Sequence, residues 1–432
     1  MDVTTWLAVA VFAVVYVLIA TEWVHRVAAA LGGAVAMLLI GATDAEHAFF
    51  SAHTGIDWNV LFLLLGMMLI VAVLRRTGIF EFLAIWVAQR SGGRPFRLMV
   101  LLCAATAVMS PWFDNVTTVL LVAPVTILVC RRLGLPIAPY LIAEVMACNI
   151  AGAATLIGDP PNIMIGSRAG LSFNDFLLHM APVVLIMLAV LPFLLRFLFR
   201  DVLRQAPPRA TAAADLRPAD AIRDTRLLAV SGVVIVLVMA AFVLHTTLHL
   251  EPSVVAMSGG LLLLAVAHRS AHQVVRDVEW PTLAFFAGLF VMVGALVRTG
   301  TLDQLGRAAA EATDGRLFGT SMALVFGSAV PSAVIDNVPF VASVSPVVEH
   351  LAASVPDGGA DVLWWSFALG ADLGGNATVI ASSANVVVIG IADREGEHIS
   401  FWQFSRYGLV VTAVTLVIAA LYVWLRYFVI AP

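Results

Sequence analysis

Long apolar segments separated by short polar ones follow each other along the whole chain. A helix needs about 20 mostly apolar residues to cross a bilayer, and segments approaching this length recur. In the first half they are Val3–Ala20, Val24–Ile40, Trp58–Leu74, Pro139–Ile157 and Phe176–Phe199. In the second half they are Leu227–Leu244, Val254–Ala267, Thr282–Val297, Leu363–Val379 and Trp402–Phe428. The pattern predicts an all-α polytopic membrane protein with five crossings in each half.

Shorter apolar arms have a different pattern, because they flank two Asp-Asn pairs. These arms are Arg97–Trp112, Val116–Val129, Phe318–Val334 and Val338–Leu351. Each arm is short for a full crossing, so each pair of arms predicts a re-entrant helical hairpin, one at 97–130 and one at 318–351. Gly78–Arg90 and Leu302–Thr313 mix apolar and charged residues, which is typical of helices that lie at the membrane interface.

The second half repeats the order of the first. Asp114 and Asp336 lie 222 residues apart, and Thr155 and Thr378 lie 223 apart, a spacing that indicates an internal repeat. Because five crossings bring the chain to the opposite side, the repeats are predicted to be inverted in the membrane. The predicted boundaries are a first repeat at 1–200 with a broken helix at 139–170, a cytoplasmic linker at 201–225, and a second repeat at 226–432 with a broken helix at 363–391.

Composition and charge agree with a membrane protein and set its orientation. The 432 residues are 61% hydrophobic and 12% charged, whereas soluble domains carry about 25% charged residues. The net charge of −4 gives no support for a nucleic-acid partner. When the chain is traced through its predicted crossings, most Arg residues fall on one side, which is therefore predicted to be cytoplasmic. We expect a multi-pass protein of the plasma (inner) membrane, with both termini outside, the first hairpin open to the cytoplasm and the second to the outside.

Polar, helix-breaking segments inside apolar sequence mark the candidate site. Unwound backbone in a bilayer is tolerated only where it is buried in protein or borders a polar cavity. Broken helices expose N–H donors and carbonyls, which bind ions and substrates near the midplane of many transporters. The two hairpin tips and the two broken helices contribute the predicted binding residues Asp114, Asn115, Thr117, Asn149, Thr155, Asp159, Asn162, Asp336, Asn337, Asp372, Asn376, Thr378 and Asn385.

Asp114 and Asp336 are the predicted carboxylates for a coupling ion, either H⁺ or Na⁺. No Arg or His lies within the tips or breaks to pair with them. An unpaired carboxylate deep in a membrane is costly, so it must be protonated, bound to a cation or hydrated. The structural alternative is that each Asp only caps the arm that follows it, since Asp is a favourable N-cap residue.

The tip and break sequences resemble those of a known transporter branch. FDNVTTVLLVAPVTI, NIAGAATLIGDPPNIMIG, VIDNVPFVASVSPVV and LGGNATVIASSANVVVIGIA are similar to the ArsB/NhaD/P-protein branch of the ion transporter superfamily. That branch includes arsenite/antimonite efflux permeases, sodium/proton antiporters and citrate-transporter-like domains. The resemblance implies a scaffold domain and a transport domain, an elevator mechanism and a homodimer. Related dicarboxylate carriers have Ser-Asn-Thr at the tips, whereas this chain has Asp114-Asn115-Val116 and Asp336-Asn337-Val338.

Three transport functions stay open at this point. The first is proton-coupled antiport that exports arsenite or antimonite, the second is Na⁺/H⁺ antiport, and the third is anion or dicarboxylate transport. Cys148 is the thiol nearest the predicted site and could contact As(III), although a buried cysteine also serves as a small apolar side chain. The absence of HExxH, GxSxG, Walker and CxxC motifs argues against an enzyme, a bound cofactor or a metal site. A partner ATPase is an alternative energy source, since the chain has no nucleotide-binding motif.

Overall fold

The computed structural model describes residues 3–21, 23–51, 53–204, 218–312, 316–355 and 359–430, and within these ranges the chain forms helices and no strands. The first half folds as α1 (Val3–Ala20), α2 (Arg26–Leu39), α3 (Ala45–Phe50), α4 (Trp58–Arg76), α5 (Ile79–Ser91), α6 (Pro95–Met109), α7 (Asn115–Leu133), α8 (Ala138–Gly152), α9 (Pro160–Ala169), α10 (Phe173–His179), α11 (Ala181–Leu198) and α12 (Arg200–Leu203).

The second half has the same order. It folds as α13 (Thr225–Leu248), α14 (Pro252–Val266), α15 (Ala271–Asp277), α16 (Trp280–Arg298), α17 (Thr301–Ala312), α18 (Leu317–Ser332), α19 (Asn337–Ala353), α20 (Asp361–Gly374), α21 (Ser383–Arg394) and α22 (Phe401–Trp424). Short 3₁₀ turns lie at Pro218–Ala221, His268–Ser270 and Val379–Ala381, and α22 continues as a π-helical turn over Leu425–Ile430.

Several helices of the described chain are long and apolar enough to cross a membrane. They are α1, α4, α7, α11, α13, α16 and α22 with its π-helical extension. The helices α2, α6, α8, α14 and α18 are apolar but shorter. The prediction that both arms of the first hairpin are too short to cross is therefore wrong for α7. This arm has 19 residues because its helix continues through Arg131 and Arg132 to Gly134, whose left-handed conformation ends it.

Two further differences from the predicted elements have local causes. The segment predicted as one helix, Phe176–Phe199, is divided at Met180 into α10 and α11. Pro182 explains the division, because proline lacks an N–H and cannot continue a preceding helix. The short helices α3 and α15 were not predicted. In α3 the Asp44 carboxylate accepts a hydrogen bond from the His47 N–H, an N-cap that stabilises a helix of six residues.

The two halves pack through reciprocal pairs of corresponding helices. α4 packs on α14 while α16 packs on α2, and α7 packs on α21 while α19 packs on α9. Within each half, α6 packs on α8 and α18 packs on α20. This exchange brings both hairpin tips and both broken helices to the centre of the molecule. The predicted linker falls partly on 205–217, which lies outside the described residues, as does Thr313 at the end of the second predicted interfacial helix.

Glycine allows the closest of these reciprocal contacts. A Cβ atom at Gly66 of α4 would lie 2.4 Å from the carbonyl carbon of Ala256 on α14. A Cβ atom at Gly288 of α16 would lie 2.8 Å from the carbonyl carbon of Ala30 on α2. Gly66 and Gly288 are 222 residues apart, so both halves use the same position for backbone-to-backbone packing, as small residues do in membrane helices.

Candidate ion and substrate site

Both hairpin tips end in an aspartate that caps the following helix. The Asp114 carboxylate accepts a hydrogen bond from the Thr117 N–H at 2.9 Å and another from the Thr117 hydroxyl. The Asp336 carboxylate accepts one from the Val338 N–H at 3.1 Å. N-capping, the structural alternative considered from the sequence, is therefore present at both tips. It uses only part of each carboxylate's acceptor capacity, so a coupling ion remains compatible with the geometry.

Hydroxyl groups tie each tip to the broken helix of its own half. The Thr155 hydroxyl donates to the Pro111 carbonyl at 2.5 Å, and the Thr378 hydroxyl donates to the Ala333 carbonyl at 2.6 Å. These equivalent bonds fix the position of each tip. The two threonines were predicted as ligands, but their donors are engaged by backbone, which leaves only their oxygens as acceptors.

Two equivalent asparagines hold the unwound segments, which we name the first break (153–159) and the second break (375–382). The Asn162 Nδ2 donates to the Thr155 carbonyl at 3.1 Å. The Asn385 Nδ2 donates to the Thr378 carbonyl at 2.8 Å and to the Gly375 carbonyl at 2.8 Å. These side chains satisfy carbonyls that the break removes from helical hydrogen bonding. Asn162 and Asn385 therefore stabilise the breaks.

The two tips meet at one carboxylate of the first break. Asp159 Oδ2 accepts a hydrogen bond from the Asn115 Nδ2 at 2.7 Å and from the Asn337 Nδ2 at 3.3 Å. All three side chains belong to buried residues, and Asp159 is 3% exposed. The residues Asn115 and Asn337 lie in different halves, so Asp159 is the point at which the halves converge.

A second contact between the halves joins three amides. The Asn149 Nδ2 lies 3.0 Å from the Oδ1 atoms of both Asn376 and Asn385. Beside them, the Asp372 carboxylate approaches the Asn162 side chain, but neither Asp372 oxygen has a hydrogen-bond partner among the described residues. The Oδ1 atoms of Asn149 and Asn162 are also unpartnered there. Four buried oxygens in this region therefore have unused acceptor capacity.

A small cavity lies between the tips and the first break. Its volume is about 30 Å³, and its walls include Asp114, Asn115, Asp159 and Asn337. A cavity needs about 10–15 Å³ of space for the centre of a water-sized sphere to hold one water molecule. In this conformation the cavity fits a water molecule or a monatomic ion and is too small for a molecule such as citrate.

Two charged residues at this cavity, Arg26 of α2 and Glu279 before α16, were missed by sequence reasoning. The Arg26 Nη1 donates to the Ser383 Oγ at 2.6 Å and lies 3.9 Å from the Asp336 Oδ2. The Ser383 hydroxyl in turn donates to Asp336. The prediction that the tip carboxylates have no cationic partner is therefore wrong for Asp336. Arg26 is 310 residues away from Asp336 in the sequence and approaches it only through tertiary packing. The one local signal for a role of Arg26 is its position as the first residue of an apolar helix.

A larger cavity of about 330 Å³ adjoins Asp336, Arg26 and Ser383. It lies next to the junction of α1 and α2, which is on the predicted cytoplasmic side. The Asp336 side chain is 19% exposed, whereas Asp159 and Asp372 are enclosed. Among these three carboxylates, Asp336 is therefore the most accessible, and this cavity is what exposes it.

Cys148 does not line either cavity. Its thiol is buried, with Sγ 3.5 Å from the Ser110 Oγ and 3.6 Å from the Asn115 Oδ1. In the described part of the chain there is no group of three or more His, Cys, Asp or Glu side chains placed to hold a metal ion. The polar groups that line the two cavities include carboxylates, amides, hydroxyls and the Arg26 guanidinium.

An all-helical fold with several membrane-length helices and a buried polar cavity between broken helices is that of a membrane transporter. The sequence profile of the citrate transporter family matches residues 16–370. The chain belongs to this family.

Relatives extend over the whole chain. The uncharacterized transporter Rv2685 of Mycobacterium tuberculosis is 52% identical over 425 residues, covering 98% of this chain and 99% of that protein. The P protein of Mus musculus is 33% identical and covers 98% of this chain and 60% of its own length. These similarities agree with the ArsB/NhaD/P-protein branch predicted from the tip and break sequences.

The crystal structure of the Alcanivorax borkumensis YdaH transporter has a similar fold. It superposes with a TM-score of 0.61 at 16% identity, covering 98% of this chain and 97% of that one. At this identity the similarity concerns the fold alone. The prediction of an all-α polytopic transporter fold is confirmed.

Proposed function

We propose that this chain is a proton-coupled antiporter of the plasma membrane whose first candidate cargo is arsenite or antimonite, so that it confers arsenical resistance. The observation that carries the proposal is the convergence of both hairpin tips on the buried Asp159 carboxylate, beside Asp114, in a cavity of ionic size. Of the thirteen residues predicted as ligands, Asp114, Asn115, Asp159 and Asn337 line this cavity, whereas Asn162 and Asn385 bind carbonyls of the breaks.

Coupling to protons follows from the balance of charge at the centre. Asp114, Asp159 and Asp372 are buried. Asp114 and Asp159 accept hydrogen bonds from neutral groups, and the Asp372 oxygens have no partner among the described residues. A buried charge without a counter-charge is strongly unfavourable, and a proton or a metal cation removes that penalty. The fourth aspartate, Asp336, is the one that lies near the Arg26 guanidinium. Cation or proton occupancy is therefore the way in which this site becomes electrically balanced.

The cavity between the tips is too small for arsenite in this conformation, so a small neutral cargo is proposed to bind at the unpartnered oxygens near it, in another state of the transport cycle. Arsenite and antimonite are uncharged hydroxides at neutral pH and need hydrogen-bond partners, which the unpartnered oxygens of Asn149, Asn162 and Asp372 supply. A carboxylate cargo would meet like charges, at about 4 kcal/mol per pair at 4 Å with an effective dielectric constant of 20. Cargo and proton would compete for the acidic centre, which is the requirement of antiport.

The second candidate is Na⁺/H⁺ antiport, and one observation favours it. The Asp372 oxygens lie unpartnered beside amide oxygens and the carbonyls of the breaks, and hard cations prefer oxygen ligands. Alternating access would follow from two inverted repeats, with hairpins and broken helices moving as a transport domain against a scaffold in each subunit of a homodimer.

Flux into proteoliposomes with an imposed pH gradient tests the proposal. Arsenite, Na⁺ and citrate are offered separately to the purified full chain. Arsenite-dependent proton movement supports the first candidate, and Na⁺-dependent movement supports the second. Citrate-driven flux without a response to either of the others refutes both.

Variants connect this flux to the site. Asp114→Asn and Asp159→Asn are each expected to abolish proton-driven flux, while Asp393→Asn, at an exposed position that contacts His398, retains it. Proton-driven flux at the wild-type rate in both tip and break variants contradicts the assignment of these carboxylates.

A further inference from the structure

Glu144 is a buried carboxylate that the candidate site does not use. It lies on α8, eight residues before Gly152 at the end of that helix, or about 12 Å along the helix axis. It is 3% exposed. Its Oε1 accepts a hydrogen bond from the Thr126 hydroxyl at 2.6 Å, and its Oε2 has no hydrogen-bond partner among the described residues.

The repeat supplies an internal comparison for this position. With the spacing of 223 residues that relates Asn162 to Asn385, Glu144 corresponds to Phe367 on α20. Phe367 is fully buried, so the same place in the other half accepts an apolar side chain. The fold therefore does not require a carboxylate there, and the presence of a buried acid at Glu144 calls for a chemical reason.

A line of polar side chains leads from Glu144 towards the centre of the site. Cys148 is one helical turn further along α8, and its Sγ lies 3.5 Å from the Ser110 Oγ. The Ser110 Oγ lies 2.8 Å from the Asn115 Oδ1, and Asn115 binds Asp159. The position corresponding to Cys148 is Ala371, so the second half lacks this line.

The surroundings of Glu144 contain no counter-charge. Within the described residues no Arg or His forms an ion pair or hydrogen bond with it. The titratable side chains near Glu144 are the thiols of Cys103 on α6, Cys130 on α7 and Cys148 on α8. Glu397 also lies near the Cys130 thiol, and Asp114 and Asp159 lie near the Cys148 thiol.

We propose that Glu144 is a second proton-binding site, whose occupancy is linked to the central site through Cys148, Ser110 and Asn115. The proton is taken from bulk water by the Glu144 carboxylate and returned to bulk water, and no other bond changes. This inference rests on the proposed proton-coupled function, to which it adds one more proton in each transport cycle.

The first test measures the proton directly and does not depend on transport. Infrared difference spectra of the purified full chain are recorded between acidic and alkaline medium. A carboxylic-acid C=O band that decreases on the alkaline side is expected in the wild type and lost in Glu144→Gln. Thr126→Val, which removes the hydrogen bond but keeps the acid, shifts this band. Identical spectra for the wild type and Glu144→Gln overturn the inference.

The second test measures coupling. The pH gradient that balances a fixed cargo gradient gives the number of protons per cargo, and Glu144→Gln is expected to lower it by one. An unchanged number with wild-type flux overturns the inference and leaves the proposed function intact. If the wild type shows no proton-coupled flux, the proposed function fails, and so does the linkage inferred here. Should Glu144→Gln not fold, Glu144→Leu, which introduces an apolar side chain as at the equivalent Phe367, is measured in its place.

Discussion

Asp114 and Asp336 occupy equivalent positions in the two halves but have different surroundings. Asp114 is held by the neutral Thr117, whereas Asp336 has the Arg26 guanidinium 3.9 Å away. The two tips therefore share an aspartate cap but differ in their electrostatic surroundings. If the proposed coupling cation binds at Asp336, it competes there with the Arg26 guanidinium.

Replacing Arg26 tests this competition. A charge pair at 4 Å contributes about 4 kcal/mol at an effective dielectric constant of 20, and solvent screening of a side chain that is 37% exposed reduces it to about 1 kcal/mol. Arg26→Gln is therefore expected to lower the KM for the coupling cation about fivefold. Arg26→Lys keeps the charge and is the matched control. A higher KM in Arg26→Gln indicates that Arg26 assists binding.

The two amides that meet at Asp159 are expected to contribute unequally. Hydrogen bonds to a charged group contribute about 1.5–3 kcal/mol, and the Asn115 bond is shorter than the Asn337 bond, at 2.7 against 3.3 Å. Asn115→Ala should reduce kcat/KM for transport at least tenfold, and Asn337→Ala by less. Equal losses from both variants contradict this ranking.

Individual helices follow the apolar pattern closely, because long apolar segments have few alternative structures in a membrane. Predicted spans such as Val3–Ala20 agree with the observed bounds. The sequence did not predict the division at Met180 or the full length of α7. The tips and breaks were found from the repeat, but the pairing of Arg26 with Ser383 was not, because it depends on how α2 packs against distant segments and no local pattern records it.

The reciprocal glycine contacts give a prediction about helix packing. A methyl group at Gly66 or Gly288 would overlap the backbone of the facing helix, and such overpacking costs about 1–3 kcal/mol. Gly66→Ala and Gly288→Ala should each lower the unfolding temperature in detergent by similar amounts. Gly232→Ala on α13, where nothing lies within 4 Å, is the control. A loss confined to one of the two glycines contradicts the reciprocal packing.

The N-cap of the short helix α3, which lies outside the membrane-spanning helices, predicts a pH dependence of stability. The His47 backbone N–H, the His47 ring and Arg298 hold the pKa of Asp44 well below its usual range. A lowered pKa contributes stability above the ordinary carboxyl pKa of about 4, and this contribution is lost as the pH falls through the lowered value. The stability difference between wild type and Asp44→Ala should be full at neutral pH and shrink in acid, as measured by thermal unfolding. A difference that does not depend on pH contradicts this account.

At the scale of the whole molecule, one cavity next to Asp336 gives a test of the predicted orientation. The cavity beside Asp336 is bordered by α1, α2 and α21, while the native cysteines are all buried. Val387→Cys, which lines this cavity, should react with a membrane-impermeant thiol reagent from the cytoplasmic side. Ala371→Cys, at a fully buried position, should not react. Reaction of Val387→Cys only from the outside contradicts the predicted orientation.

Buried hydrogen bonds connect the hairpin tips and the breaks of both halves into one unit. Asn149 contacts Asn376 and Asn385, and both tips bind Asp159. Neither tip can swing outward as an independent flap without breaking buried polar contacts shared with the other half. We therefore expect that a large displacement, as in the predicted elevator mechanism, would move these segments together, and that it would break the hydrogen bond from Arg26 to Ser383.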